Sequence, residues 1–345
     1  MRKGLHRSVW SLLILLTLTC RVDSQDIHFS QFFETPLLRN PSLAGIFTGD
    51  VRIQGVYRTQ WNSVTVPYQT SSINAEYKLP VGRGDDFLTL AGQVLYDKAG
   101  TIALTSTHFL PALNYHKSLS ADRNLYLSLG LMGGFVQRKI DRSKVTTNNQ
   151  FDGINYNSGA ADGESFSKTS YSYFDGSVGM SLNAQLGTEA DNNIFVGLAY
   201  HHFNKAPKVS FYGNPNYEMI PKWVGSAGAR MSMNDYSYFT IEGDYSKQGS
   251  YTETIAGALF SWKLDDIDDP KYIISAGAFL RWKDAMIPVA KLEFKPLAVS
   301  VSYDANISQL KSASSGRGGF EISLTYQKYS NRDNSSSDAV RCPRF

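Results

Sequence analysis

The sequence predicts an all-β fold, a transmembrane antiparallel β-barrel of the outer-membrane type with about fourteen strands. Three observations predict it. Apolar and polar residues alternate with a period of two along most of the chain. The connections between the alternating segments differ in length in a regular way. Beyond the amino-terminal stretch, no run approaches the ~18 apolar residues of a membrane-spanning helix.

The alternation is clearest in residues 174–186, 297–307 and 320–327. In the first of these, apolar residues such as Val178 occupy even positions, and polar residues such as Ser177 occupy odd positions. Such a strand has one apolar and one polar face, which a barrel directs to lipid and to the lumen. We predict strands near residues 50–58, 70–79, 87–96, 103–115, 124–138, 172–186, 193–203, 222–233, 236–246, 251–262, 271–282, 285–294, 296–305 and 317–329.

The length of a connection depends on whether the strand before it is odd- or even-numbered. All connections after even-numbered strands are short, and the long ones all follow odd-numbered strands: 59–69, 140–171, 204–221 and 306–316. Short turns at one end and long loops at the other are typical of outer-membrane barrels. An even strand number then returns both termini to the short-turn, periplasmic end. A soluble β-sandwich, the main alternative, gives no reason for this separation.

Residues 1–24 resemble a secretory signal peptide, with three basic residues before an apolar stretch from Val9 to Leu18. We expect cleavage before Gln25. The alternative is a lipoprotein acylated at Cys20, but the residues before Cys20 form a poor lipobox because Leu is not at position −3. The mature protein is therefore expected to begin at Gln25.

The charge and the cysteine content exclude a class of partner and a disulfide bond. Removing residues 1–24 takes away four basic residues and one acid, so the formal net charge of +3 becomes 0. A neutral chain gives no electrostatic reason to expect a nucleic-acid partner. Only Cys342 remains after cleavage, which precludes an intramolecular disulfide and predicts a free thiol near the carboxyl terminus.

No pattern of residues predicts a catalytic centre, a cofactor or a metal site. His201 and His202 lie in a strand pattern, so their rings are expected on opposite faces. The acidic run 265–270 lacks the spacing and the glycine of a calcium-binding EF-hand loop, and the Arg-Gly-Asp at 83–85 fits a turn. The glycines of 130–135 lie within a strand, where they give room to the backbone and do not form a phosphate loop.

The longest connection, residues 140–171, is rich in Asn, Gly, Ser and Thr. Phe151, Ile154 and Tyr156 are spaced through it. Connections of this length are usually functional or disordered. We leave two alternatives open: a loop that folds onto the barrel mouth or into the lumen, and a mobile surface loop.

The stretch "QDIHFSQFFETPLLRNPSLAG", residues 25–45, is neither a regular strand nor a typical solvated tail. Phe29, Phe32 and Phe33 need apolar cover, whereas Pro36 and Pro41 resist a regular strand ladder. We therefore predict that this segment plugs or braces the periplasmic end of the barrel. The predicted organisation is a signal peptide (1–24), an amino-terminal plug or brace (25–49), a barrel (50–330) and a periplasmic tail (331–345).

The same stretch, the sequence "VRIQGVYRTQW" after it and the last four residues "CPRF" carry a family resemblance. Together they resemble the PorP/SprF family of type IX secretion system membrane proteins of Bacteroidota. Ile27 and Phe33 are small departures from its pattern. The residues that carry the resemblance are Gln25, Asp26, His28, Phe29, Ser30, Gln31, Phe32, Pro36, Asn40, Pro41, Ala44, Gly45, Tyr57, Arg58, Trp61, Cys342, Pro343, Arg344 and Phe345.

The resemblance implies a non-catalytic outer-membrane barrel that works with secretion or gliding machinery. It implies protein partners: an exported surface protein such as an adhesin, received or anchored through its C-terminal domain, and other secretion components, some of them periplasmic. It makes the signature residues candidates for partner binding. Two alternatives stay open, a diffusive porin for small solutes and an outer-membrane hydrolase, although no Ser/His/Asp grouping supports the hydrolase.

Overall fold

The computed structural model describes residues 26–61, 66–82, 85–121, 123–187, 192–206, 210–213, 218–267, 269–308 and 317–329. Within these residues, fourteen antiparallel strands form a closed barrel in which β1 also pairs with β14. The strands are β1 (Val51–Gln60), β2 (Tyr68–Pro80), β3 (Phe87–Ala99), β4 (Leu104–Ser120), β5 (Leu125–Lys139), β6 (Ser170–Gln185), β7 (Asn193–His201), β8 (Lys222–Asn234), β9 (Ser237–Gln248), β10 (Tyr251–Lys263), β11 (Tyr272–Arg281), β12 (Ala285–Phe294), β13 (Leu297–Asn306) and β14 (Arg317–Lys328). Each overlaps one predicted strand, so the predicted fold class and strand number are confirmed.

The alternating pattern places side chains as predicted. In β13, Ser300, Ser302 and Asp304 are buried in the lumen, whereas Val301 and Tyr303 are exposed on the outer face. The same division holds in β6 and β14. Lipid outside and a polar lumen inside impose a period of two on each strand, and this is why the side that each residue faces could be predicted from single segments.

The two ends of the barrel differ in their connections, as expected. The short-turn end carries the connections 81–86, 121–124, 186–192, 235–236, 264–271 and 295–296. The long-loop end carries the long connections 140–169, 202–221 and 307–316, together with four shorter ones. The connection predicted as long at 59–69 spans only 61–67, no longer than 186–192 at the other end. β1 begins and β14 ends at the short-turn end, where the Asp50 N–H donates to the Lys328 carbonyl at 3.0 Å.

The outer face of the barrel is apolar along the middle of the strands. Leu129, Leu131, Val196, Leu198 and Ile322 are each exposed there. Aromatic side chains such as those of Tyr57, Tyr77, Trp262 and Trp282 are also exposed on the outside. In the described part of the chain, no helix has the length and apolar character needed to cross a membrane.

Residues 26–50, the plug segment, lie inside the barrel. The segment folds into a 3₁₀ turn over Phe32–Glu34, one α-helical turn over Pro36–Arg39 and a second 3₁₀ turn over Pro41–Leu43. Each of the last two turns begins with proline, which has no N–H to leave unpaired at that position. The Asn40 side chain accepts from the Ser42 N–H at 2.9 Å and so caps the last turn.

Apolar clusters inside the lumen are built around the plug segment. Phe32 packs with residues of β10 to β12, Leu37 with β4 and β5, Phe29 with β1 and β3, and Leu43 with Phe195 of β7. All five side chains are buried. The barrel therefore encloses small apolar cores within a mostly polar lumen. The strand alternation did not predict these cores, because they form where occasional apolar residues on the polar faces meet the plug.

The plug segment extends through the lumen and is not confined to one end. It enters beside Asp50 at the short-turn end. At its other end, the Asp26 N–H donates to Gln248 at 3.2 Å, and the Asp26 carboxylate lies 3.4 Å from Lys222. Gln248 ends β9 and Lys222 begins β8, both at the long-loop end. Two predictions are thus corrected: a plug or brace confined to the short-turn end, and an amino terminus at that end. The segment extends through the lumen, and Asp26 at its start lies at the long-loop end.

The long connection between β5 and β6 packs against the connection between β7 and β8 at the long-loop mouth. The Ser167 N–H donates to the Phe211 carbonyl at 2.9 Å, and the Tyr212 hydroxyl donates to Glu164 at 2.8 Å. Of the alternatives left open by the sequence, these contacts favour a loop folded over the mouth. Phe151, Ile154 and Tyr156 nevertheless remain exposed, as expected for residues at the tip of a surface loop.

Candidate functional site: a plugged lumen

The upper part of the plug segment, nearest the long-loop end, is held by a buried charged network. The Glu321 carboxylate accepts from the main-chain N–H groups of Ser30 (2.6 Å) and Gln31 (2.8 Å). Arg58 of β1 pairs with Glu321 at 3.2 Å and with Asp304 at 3.1 Å. Asp304 in turn accepts from the Ser30 hydroxyl at 2.8 Å. Arg281 also pairs with Asp304 at 3.2 Å. The two carboxylates are thus compensated by two guanidinium groups and by donors from the plug, as buried charges require.

The middle of the plug segment is held by a buried carboxylate. Glu34 lies 2.9 Å from the ammonium of Lys291 on β12 and accepts from Gln54 (2.8 Å) and Thr325 (3.0 Å). Burial on its own would raise the pKa of the Glu34 carboxyl, but Lys291 and these two donors lower it below its ordinary value. Glu34 is therefore ionised at neutral pH and joins β1, β12 and β14 across the lumen.

Arg39 is the strongest polar anchor of the segment. Its guanidinium pairs with both carboxylate oxygens of Asp244, at 2.7 Å and 2.9 Å, and with Glu242 at 2.6 Å. Its carbon Cζ also lies 4.6 Å from the centroid of the Phe32 ring and 5.5 Å from that of Phe195. A fork-shaped ion pair enclosed by aromatic faces fixes both the position and the orientation of this part of the plug.

Three glycines on adjacent strands give the plug room. A Cβ on Gly179 would lie 1.9 Å from Oδ1 of Asn40, and one on Gly197 would lie 2.8 Å from Nδ2 of the same residue. A Cβ on Gly130 would lie 2.4 Å from the carbonyl carbon of Pro41. These distances are too short for any side chain. The glycine of "GLMGGF" at position 130 therefore serves the approach of the plug, which agrees with the predicted need for backbone room.

The lower part of the plug segment is bound through its main chain. Asn114 of β4 donates to the carbonyls of Ser42 and Ala44, each at 2.7 Å. The Gly45 N–H donates to Glu76 at 2.7 Å, and Arg52 holds Glu76 through two further hydrogen bonds. Gly45 has a φ of +86°, a conformation that glycine adopts without strain.

Asp26 forms the contacts nearest the long-loop mouth. Its carboxylate lies 3.4 Å from both Lys222 and the Nε2 atom of His202, and Nδ1 of His202 lies 2.8 Å from Asp175. Burial on its own would lower the pKa of His202, but Asp175 and Asp26 raise it to about 9. Burial would likewise raise the pKa of Asp26, but Lys222 and His202 keep it well below the ordinary value. Both groups are therefore charged at neutral pH.

The predicted positions of the two histidines need correction. His201 and His202 are both buried, and both lie inside the barrel. β7 ends at His201, and His202 has a φ of 58°, so the strand alternation no longer applies to it. His201 contacts the Arg39 carbonyl at 3.1 Å. Within the described residues, no group of three or more His, Cys, Asp or Glu side chains is arranged to hold a metal ion.

The structure brings most of the predicted signature residues together. Those from His28 to Gly45 lie in the plug segment, and Arg58 contacts this segment by donating to the His28 carbonyl at 2.9 Å. Trp61 instead follows the end of β1. The tail signature, Cys342, Pro343, Arg344 and Phe345, lies outside the described residues, as does the signal peptide.

The residues that bind the plug do not stand out in the sequence. Glu34 and Arg39 within the segment and their wall partners Asp244, Lys291 and Glu321 were not identified. A signal for the wall partners was present, since each is a charged residue in a predicted strand of a barrel with a limited number of charges. Their pairing could not be predicted, because it depends on which strands face each other across the lumen.

Comparisons with known proteins agree with this architecture. The toluene transporter TbuX of Ralstonia pickettii is 10% identical, with a TM-score of 0.50, over 86% of this chain and 93% of that one. A deletion mutant of the monoaromatic hydrocarbon channel TodX is also 10% identical, with a TM-score of 0.50, over 86% of this chain and 94% of that one. At this identity, the likeness concerns the fold alone. No curated protein matched the chain.

A family model gives the more specific result. The model of the type IX secretion system membrane protein PorP/SprF matches residues 22–326, which include the plug segment and nearly all of the barrel. The resemblance found in the sequence is thereby confirmed. The chain is an outer-membrane β-barrel, and it belongs to the PorP/SprF family of type IX secretion system membrane proteins.

Proposed function

We propose that this protein is a non-catalytic outer-membrane component of the type IX secretion or gliding machinery. In this role it receives or anchors an exported surface protein, such as an adhesin, through that protein's C-terminal domain. The observation that carries the proposal is the plug segment, which occupies the lumen from Asp50 to Asp26 and is bound by buried ion pairs. A lumen filled in this way supports a role in binding a protein more than free diffusion of solutes.

The proposal includes an orientation in the membrane. We infer that the short-turn end faces the periplasm and that the long-loop end faces the cell surface, as in other outer-membrane barrels. β14 then ends on the periplasmic side, where other secretion components would be reached. The plug segment rises from that side, so that Asp26 lies beside the loops at the cell surface.

Two measurements test the proposed function. Affinity purification of the tagged protein from native cell envelopes, followed by mass spectrometry, should recover an exported surface protein together with secretion components. Cells that lack the protein should lose display of the same surface protein, measured by its removal from intact cells with protease. Normal display and the absence of any exported protein among the captured partners would contradict the proposal. Large single-channel conductance of the purified full-length protein would instead favour a diffusive porin.

A further inference from the structure

The wall of the lumen recognises the plug segment to a large extent through main-chain atoms. In the upper part, Glu321 accepts from two consecutive N–H groups, those of Ser30 and Gln31, at 2.6 Å and 2.8 Å. Arg58 donates to the carbonyl of His28 at 2.9 Å. At the mouth, Gln248 accepts from the Asp26 N–H at 3.2 Å. These wall groups bind either a main-chain N–H, which every residue except proline has, or a main-chain carbonyl, which every residue has.

The same kind of recognition continues to the short-turn end. Asn114 donates to two carbonyls of the plug, Ser181 donates to that of Ser42 at 3.2 Å, and Lys78 donates to that of Phe47. Glu76 accepts from the Gly45 N–H at 2.7 Å. Wall side chains from β1, β2, β4, β6, β9 and β14 thus contact the main chain along the length of the plug.

Main-chain recognition has a physical consequence for specificity. A peptide that enters the barrel loses its hydrogen bonds to water, and buried N–H and carbonyl groups are costly unless they are paired. The wall side chains meet this need whatever the sequence of the peptide. The glycine patch formed by Gly130, Gly179 and Gly197 adds a surface that a peptide backbone can approach closely.

Contacts specific to the plug's own sequence are both apolar and ionic. The apolar ones are the clusters around Phe29, Phe32, Leu37 and Leu43. Arg39 binds Asp244 and Glu242, and Glu34 binds Lys291. Between the plug and β8, β9 and β10 there is only a small space of about 40 Å³. The hydrogen bonds of Glu321, Asn114 and Glu76 with the main chain do not depend on the plug's side chains, so another chain that displaced the plug would find the same partners.

We propose that the lumen is a binding site for a polypeptide main chain, and that the plug segment is its resident ligand. A segment of the exported protein, in an irregular or extended conformation, takes the same wall contacts when the plug withdraws. This inference rests on the proposed role in protein secretion and names the chemistry by which the barrel receives its partner. Gly45 and Gly49, with φ values of +86° and +117°, lie at the base of the plug, where its backbone turns toward β1.

The experiment measures peptide binding to purified full-length protein by fluorescence anisotropy. The Arg39→Gln variant removes the main ionic anchor and leaves all the wall groups that bind the main chain. Three labelled peptides are compared. The first has the sequence of residues 28–47, the second keeps its apolar residues in place and has the others in shuffled order, and the third is the first peptide N-methylated at the positions of Ser30, Gln31 and Gly45. A control peptide is N-methylated at Phe33, whose N–H makes no hydrogen bond to the described wall residues.

We expect the native and shuffled peptides to bind the variant with affinities within about tenfold of each other, since hydrogen bonds to the main chain are common to both. Triple N-methylation should weaken binding by at least about tenfold, because it removes hydrogen bonds to charged carboxylates. The Phe33 control should bind as the native peptide does. Wild-type protein should bind all four peptides more weakly, because its own plug competes. Adding Glu321→Gln to the variant should weaken binding of the native peptide, which places the peptide in the lumen.

Two results would overturn the inference. In the first, the variant binds the native peptide and does not bind the shuffled one. In the second, triple N-methylation and N-methylation at Phe33 reduce the affinity equally. If Arg39→Gln does not give a heat-modifiable barrel, Lys291→Gln, which removes the partner of Glu34, is assayed with the same peptides. Failure of this inference and of the proposed function can be told apart. Peptide binding with normal surface display in cells lacking the protein would refute only the secretion role. Loss of display without peptide binding would refute only the main-chain site.

Discussion

Arg39 and Asp244 form a buried, two-pronged ion pair across the lumen, with N–O distances of 2.7 Å and 2.9 Å. One partner belongs to the plug segment and the other to the barrel wall, 205 residues apart in the sequence. Removing one partner of such a pair leaves an uncompensated charge in a buried place, which is more damaging than the pair is stabilising. This contact is therefore a sensitive point for separating the plug from the barrel.

Arg39→Gln should weaken docking of the plug by about 3–5 kcal/mol, because Asp244 and Glu242 lose their counter-charge. The barrel itself should remain heat-modifiable in gel electrophoresis, since its strand ladder is unchanged. The measurement is the urea concentration at which chymotrypsin cleaves the plug at its phenylalanines. Arg142→Gln is the matched control, because Arg142 pairs with Asp162 on an exposed loop, where such a pair contributes about 1 kcal/mol or less. Equal cleavage in the two variants would contradict the assigned role of Arg39.

Gly179→Ala should expel or displace the plug without opening the barrel. Its Cβ would lie 1.9 Å from Oδ1 of Asn40, and overpacking of this kind costs about 1–3 kcal/mol. Gly92→Ala is the control, because no atom lies within 4 Å of the position of its Cβ. In the same assay, chymotrypsin should cleave the plug of Gly179→Ala at a lower urea concentration than the plug of Gly92→Ala. Identical profiles would mean that Asn40 moves aside at little cost.

The contact between Asp26 and His202 should weaken at alkaline pH. Folding raises the pKa of His202 from 6.5 to about 9. Its charge therefore contributes fully to the stability of the folded state below about pH 6.5, and this contribution is lost as the pH rises through about 9. Folding lowers the pKa of Asp26, so its contribution is present above its ordinary value of 3.8 and is lost only in more acidic solution. The charged groups around His202 are Asp175 on β6, Lys222 on β8 and Asp26 itself.

A nitroxide label at position 27, introduced as Ile27→Cys in a Cys342→Ser background, reports this change. The label should be immobile at pH 7 and become mobile as the pH rises through about 9. The same label in His202→Gln should show no transition in this range. A transition that persists in His202→Gln would assign it to another group.

The two faces of β13 should respond differently to arginine. Val301→Arg places a charge on the lipid face and should impair insertion by about 2–4 kcal/mol if it lies near the midplane. Ser302→Arg faces the lumen, and the sequence alone predicts a milder effect. The structure changes that expectation, since Ser302 accepts from Gln31 of the plug at 3.1 Å and has no room for a larger side chain. We now expect an inserted barrel whose plug is displaced. Val301→Leu controls for volume, and equal loss of heat-modifiable protein at both positions would contradict the facing assignment.

The barrel could be predicted because its rules are local. In β6 and β13, lipid on one side and the lumen on the other impose an alternation that is visible within ten residues. The plug could be predicted only as a segment whose apolar side chains must be buried. Gln31 meets Glu321 across a separation of 290 residues, and Arg39 meets Asp244 across 205. Such contacts depend on closure of the whole barrel, and so neither the path of the plug nor its partners could be read from local patterns.

Deleting residues 27–40 behind an intact signal tests the plug as a whole. Every strand lies outside the deleted range, so the barrel should close and shift on boiling. The deletion removes Glu34 and Arg39 with their ion pairs and Phe29 and Phe32 with their apolar contacts.

An emptied lumen should conduct ions in planar bilayers, whereas the full-length protein should stay largely closed. In cells, display of the exported surface protein should be lost, because the deletion removes the signature residues that are candidates for partner binding. If the barrel conducted ions and display were normal, the role of the plug would be only to keep the barrel closed to ions. A deletion that prevents assembly would show instead that the apolar clusters around the plug are required for folding, because Leu259, Phe279 and their neighbours would face water.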